Sequence, residues 1–174
     1  MSSYIDRIKR AALLKVDLYE EVEADEGAMM QAMGVVILSS IAGGIGSVYQ
    51  FGFTGILVGS ISALISWFVW AYTVYFIGVK VLPEPQTEAT PGQLLRTLGF
   101  ASAPGLIRIL GIIQGLGNII AFIASVWMLI AMVIAVRQAL DYKGTLRAVV
   151  VCIIGWILYW LAALIIFALF GQPS

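Results

Sequence analysis

The stretch Leu98–Asn118, LGFASAPGLIRILGIIQGLGN, is apolar almost throughout, yet it holds Pro104 and Arg108. Neither residue suits a lipid-buried helix, since proline lacks an N–H and clashes one turn back. A charge at mid-bilayer costs roughly 2.5–3.5 kcal/mol on insertion scales. Whether this stretch crosses a membrane decides the topology. With it the chain has five spans, and without it four.

The surrounding sequence favours five. A helix needs about 20 apolar residues to cross a bilayer core. Ala28–Val48, Thr54–Val79, Pro91–Ile113, Asn118–Val136 and Leu146–Phe170 each meet that length. With the N-terminus in the cytoplasm, the inner segments hold Arg7, Lys9, Arg10, Lys15, Lys80, Arg96, Arg137, Lys143 and Arg147. The tenth basic residue is Arg108, and all ten acids fall on the inner side. The outer segments YQFGF, QGLG and GQPS carry no charge. Cytoplasmic enrichment of Lys and Arg is the expected bias, and four or six spans would break it. The expected fold is therefore all-α: a polytopic integral membrane protein with five transmembrane helices and an N-terminal amphipathic interfacial helix. Residues 1–27 form a cytoplasmic segment, 28–170 the transmembrane domain, and 171–174 an outer tail. The N-terminus lies inside and the C-terminus outside.

Composition agrees. Of 174 residues, 61% are apolar and 11% charged, and mean hydropathy is +0.99. A soluble domain is nearer half apolar and a quarter charged. Net charge is zero, so there is no overall basic field for nucleic acid. The lone Cys152 sits in an apolar run and reads as structural.

At the N-terminus Ile5, Ile8, Ala12, Val16 and Tyr19 recur at helical spacing among Arg7, Lys9, Arg10 and Lys15. This pattern predicts a helix lying among lipid headgroups, with basic stems snorkelling. Next along the chain, YEEVEADEG supplies Glu20, Glu21, Glu23, Asp25 and Glu26. It reads either as an orienting acidic collar before the first span or as a docking surface for a basic partner.

Thr90-Pro91-Gly92-Gln93 fits a capping box that opens the third span, and Pro104 predicts a kink near Ala101–Ala103. Arg108 lies about 9 Å from the outer loop at 1.5 Å per residue, close enough to snorkel toward headgroups or Gln114. In an α-helix Pro104 and Arg108 share a face. Anchoring is one reading of Arg108, and an anion or lipid contact with Gln114 is the other. Gly55-x-x-x-Gly59 running on to Ala63, Gly99-x-x-x-Ala103 and Gly111-x-x-x-Gly115 predict close helix packing, within one subunit or between copies. Trp67, Trp70, Tyr72 and Tyr75 in the second span and Trp156, Tyr159 and Trp160 in the fifth read as interfacial anchors or helix packing.

Chemistry is limited. No acid or histidine falls inside a span, and Cys152 has no base in its segment. Neither an activated nucleophile nor an intramembrane carboxylate relay is provided. The expectation is a protein without catalysis, cofactor or metal, whose partners are membrane lipids, another membrane or cytoplasmic protein, or copies of itself.

These features together resemble the Yip family, the Ypt/Rab-interacting membrane proteins. Asp17-Leu18-Tyr19 matches the family's motif before the first span, and Gly99 and Pro104 match its third-span motif, with Phe100 where tyrosine is usual. Glu20-Glu21 stands where the family has Gly-Pro. The resemblance implies a five-pass protein of the prokaryotic type in a cytoplasmic membrane, and the favoured function is a membrane adaptor or scaffold whose cytoplasmic face binds a protein partner and whose amphipathic helix senses or shapes the bilayer. Binding of prenylated small GTPases, a property of eukaryotic members, does not carry over through the altered motif. The alternatives are a small permease or lipid-handling protein that uses Arg108 and the Pro104 break, or an accessory subunit of a larger membrane complex. An enclosed polar cavity round Arg108 would favour the permease or lipid-handling alternative, and a lipid-facing or solvated Arg108 with a solid bundle core would favour the scaffold.

Overall fold

The structure, a computed structural model, describes residues 2–170, apart from the side chains of 50, 51, 162, 163 and 165–170. The expected tail, 171–174, lies outside the described residues. Every regular element among them is helical. Four segments are long and apolar enough to cross a bilayer: Glu26–Gly46, Gly52–Val81, Pro91–Ile112 and Gly117–Ala139. They match the expected first four spans to within a few residues.

The N-terminal segment forms two helices, α1 (Tyr4–Ala12) and α2 (Val16–Ala24). Periodicity predicted one. The chain turns because Leu14 takes a left-handed conformation, φ 59°. Leu14 N–H bonds the Ala11 carbonyl and Lys15 N–H the Arg10 carbonyl, both at 3.0 Å. This is the Schellman arrangement, with leucine where glycine is usual. The turn sends α2 into the bundle. Leu18, Tyr19 and Val22 are fully buried and share one core with the spans, so residues 1–27 are not a separate unit. Burial of this size stabilises by roughly 1.5–3 kcal/mol per large apolar side chain.

α3 (Met29–Gly46) leads into α4 (Val48–Tyr75), which breaks at Gly52, φ 64°, before its long straight part. α4 ends in a π-helical turn, Phe76–Val81, where the Tyr142 hydroxyl reaches the Gly78 and Leu82 carbonyls at 3.1 and 2.8 Å. α5 (Pro91–Phe100) opens with the predicted capping box: Thr90 accepts from Gln93 N–H, and the Gln93 side chain accepts from Thr90 N–H. α6 (Gly117–Ala139) comes next, then α7 (Thr145–Phe170). α7 carries the fifth expected span, and its described apolar stretch is Thr145–Leu161.

The third span departs most from expectation. Every residue from Leu94 to Phe100 is buried, because α5 runs up the middle of the bundle among α2, α3, α4 and α6. Pro104 then ends the α-helix, as its missing N–H and its clash with the Phe100 carbonyl require. The chain does not resume as a kinked α-helix. It continues as a 3₁₀ helix, Ala103–Ile112, that moves out into the wall between α3 and α6. α3, α4, α7, α6 and this 3₁₀ segment thus stand in a ring. α5 fills its centre at the charged end, and among the described residues nothing continues α5 toward the neutral end, where the uncharged turns lie.

Candidate functional site

This space is a cavity of about 660 Å³, open to the outside rather than enclosed, with a wall more apolar than polar. α3 contributes Val36, Ser39, Ser40, Gly43, Gly44 and Ser47 to its wall, and α4 contributes Gly55, Gly59, Ala63, Ser66, Trp67 and Trp70. Leu98, Ala101, Ser102 and Arg108 come from the third span, Ser125, Met128, Leu129 and Met132 from α6, and Trp156 from α7.

The 3₁₀ geometry aims Arg108. At three residues per turn, positions i and i+3 eclipse, so Ser102, Gly105, Arg108 and Gly111 form one ridge. That ridge meets Ser39, Gly43 and Gly46 of α3. Side chains at Gly46 and Gly111 would force the two backbones apart: a Cβ at Gly46 would fall on the Arg108 carbonyl oxygen, and one at Gly111 would lie 3.1 Å from the Gly46 carbonyl oxygen. Gly43 leaves room for the arginine stem, which would lie 3.5 Å from a Cβ there. Four residues along a 3₁₀ helix turn about 120° away, so Pro104 and Arg108 do not share a face as an α-helix would have them do. Pro104 is buried, while Arg108 is half-buried in the cavity wall.

Arg108 meets no carboxylate or hydrogen-bond partner among the described residues. Gln114, its predicted companion, lines a separate cleft with Tyr49 and Asn118 at the neutral end. Ser47 and Ser125 donate to carbonyls of their own helices and so offer only lone pairs to the cavity. Trp67 is buried and donates its indole N–H to the Leu95 carbonyl at 3.0 Å. The Trp70 indole N–H is buried with no partner among the described residues. The cavity is therefore cationic at the Arg108 end and apolar or aromatic at its floor, formed by Val36, Trp70, Leu98 and Met132.

Within the small-residue stripe on α4, Gly59 serves this space rather than a helix contact, while Ala63 also packs against the core. A Cβ at Gly59 would meet nothing within 4 Å. Gly99, by contrast, is a true packing glycine, since a Cβ there would lie 2.7 Å from that of Ala32.

The other predicted residues serve the charged end. Arg7 is buried, 3% exposed, and donates to Glu21 (3.0 Å), Gln31 (2.9 Å) and Asp25 (2.7 Å). Arg10 pairs with Asp17 and Glu21. Glu20 accepts from Gln138 and Glu23 from Gln93. Four of the five acids of the run thus meet this chain's own groups, while Glu20 and Glu26 remain exposed. Ser2, then Arg10 and Arg7, hold the Glu21 carboxyl down to about 2 against the pull of burial. Burial, then Asp141, raises Glu23 to about 7. Leu18 and Tyr19 are core residues rather than lipid-facing ones. Ile5, Leu13 and Val16 remain exposed, as do Lys9 and Lys15.

Sequence reasoning missed two roles. Arg96 is buried, and its guanidinium donates to the Val22 carbonyl (2.9 Å) and the Glu23 carbonyl, closing the end of α2. Cations are favoured at that helix end, and an arginine one turn inside the capped start of a span was the available signal. The cavity serines were the other omission. Their signal was the recurrence of Ser39, Ser40, Ser47 and Ser66 on otherwise apolar spans.

A scan against protein-family models and searches of curated proteins and solved structures found no match for this chain.

Proposed function

We propose that this chain is a five-pass, Yip-like integral membrane protein of a cytoplasmic membrane, without catalysis, that handles lipid by holding an anionic headgroup at Arg108. The observation that carries this is the unpaired guanidinium lining a cavity inside the bundle. An arginine that merely anchored the helix would reach away from the core. Arg108 instead lines an open, mostly apolar cavity between the helices and has no carboxylate partner among the described residues, which leaves a partly desolvated cation whose charge an anion would offset. The cavity volume falls within the range of small-molecule sites, about 300–1,000 Å³.

Membrane shaping is the second reading, favoured by Ile5, Leu13 and Val16 standing exposed beside Lys9 and Lys15. That face suits an anionic bilayer surface. It requires nothing of the cavity, so the two readings separate experimentally.

The test is thermal unfolding of the purified protein in a neutral detergent, with phosphatidylglycerol or phosphatidylcholine added. A ligand that binds only the folded state at a hundred times its Kd stabilises by about 2.7 kcal/mol. Phosphatidylglycerol should raise Tm in the wild type and in Arg108→Lys but not in Arg108→Leu. Equal shifts with both lipids, or an unchanged response in Arg108→Leu, would refute the headgroup role.

A further inference from the structure

The cavity has a shape as well as a charge. It runs beside α4 from Gly55 to Trp70, about 22 Å at 1.5 Å per residue, and beside α3 from Val36 to Ser47, about 16 Å. Arg108 stands at the level of Gly43, near one end. The other end is the apolar floor. A small free anion would use only the first few ångströms, leaving most of the slot unfilled.

The wall is also thinnest at one seam. α4 and α7 meet where Gly155 crosses Trp70, with a Cβ at Gly155 falling 3.1 Å from the indole ring. Beyond that crossing, toward the neutral end, every α7 residue from Trp156 to Leu161 is exposed. Six consecutive exposed residues cover all sides of a helix, so α7 stands clear of the bundle there. Trp156 lines the cavity on the inside of the seam. Phe68, Tyr72 and Tyr159 line a second groove on its outside. The slot therefore opens sideways, toward the space a bilayer fills.

Building on the headgroup role of Arg108, we propose that the ligand is an anionic phospholipid that enters between α4 and α7. Its phosphate pairs with Arg108, and one acyl chain lies along the slot toward Trp70. The chemistry shared with a free anion is the phosphate. The chain and the sideways entry distinguish the lipid.

The probe is a monoacyl glycerol phosphate brominated at mid-chain, added to the full chain in neutral detergent. Trp127, Trp156 and Trp160 are changed to phenylalanine, so that the emission comes from Trp67 and Trp70. Saturable quenching is expected. It should weaken tenfold or more in Arg108→Leu, which removes the phosphate partner, and also in Gly59→Phe, which fills the slot where a side chain meets open space. Arg108→Lys should keep it. If inorganic phosphate displaces the probe as well as the unbrominated lipid does, and Gly59→Phe binds normally, the site takes a free anion. The chain proposal then falls while the Arg108 role stands. If Arg108→Leu binds the probe as the wild type does, both fall.

Discussion

Arg7→Met tests how the N-terminal helices are held. As an exposed surface charge, Arg7 would contribute about 0–1 kcal/mol. In the structure it is 3% exposed and bridges Glu21, Asp25 and Gln31 across three elements. Removing one partner of a buried pair costs about 3–5 kcal/mol. The carboxylates here keep 29% and 24% exposure, and Glu21 retains Arg10, so neither is stranded. The expected loss is about 2–3 kcal/mol. Tryptic cleavage after Lys15 reports it, because cutting tracks the population of the opened segment. At tenfold per 1.4 kcal/mol, cleavage should accelerate about 30- to 150-fold. The effect carries a pH signature. Glu21 and Asp25 both titrate below their ordinary values when folded, Glu21 at about 2. Their contribution is therefore complete above the unfolded carboxylate range and fades as pH falls through the folded values. At pH 7 a change of threefold or less would place Arg7 back among surface charges and refute the bridge.

Glu23 should behave oppositely. Its folded value is raised to about 7, so its contribution to α2 docking is complete below the unfolded value near 4.5 and is lost as pH rises through about 7. Glu23→Gln should flatten the dependence of Tm in detergent on pH between about 4.5 and 7. Gly46→Ala places a Cβ on the Arg108 carbonyl oxygen, and overpacking of this kind costs about 1–3 kcal/mol, readable as a lower Tm in detergent. Gly59→Ala should leave Tm within about 0.5 kcal/mol equivalent, since open space surrounds it. With Cys152 replaced, a cysteine at Lys9 should resist an impermeant thiol reagent in intact cells, and one at Ser174 should react. Reaction at both positions would contradict the five-pass proposal, and the opposite pattern would reverse its orientation.

Hydropathy located the first four spans to within a few residues because crossing length and composition are local properties. The Thr90–Gln93 cap was legible for the same reason. The interior was not. Nothing in periodicity distinguishes a glycine that admits a neighbouring helix, such as Gly99, from one that faces empty space, such as Gly59. Pro104 marked a break in the sequence but not the geometry of the chain beyond it, which packing against α3 and α6 decides. A 3₁₀ continuation sets Ser102, Gly105, Arg108 and Gly111 in line, where an α-helix would have paired Arg108 with Pro104. The N-terminal pattern misled because Leu14, an unusual left-handed residue, turns Leu18 and Tyr19 inward, while the charged Arg7 lies buried and Ile5 exposed.

Native mass spectrometry of the protein released from neutral detergent weighs the bound lipid directly. The wild type should retain one anionic phospholipid per chain in preference to zwitterionic lipid, and Arg108→Leu should lose that preference while remaining folded. A folded wild type that retains no lipid, or an Arg108→Leu variant with the same anionic lipid bound, would contradict the account.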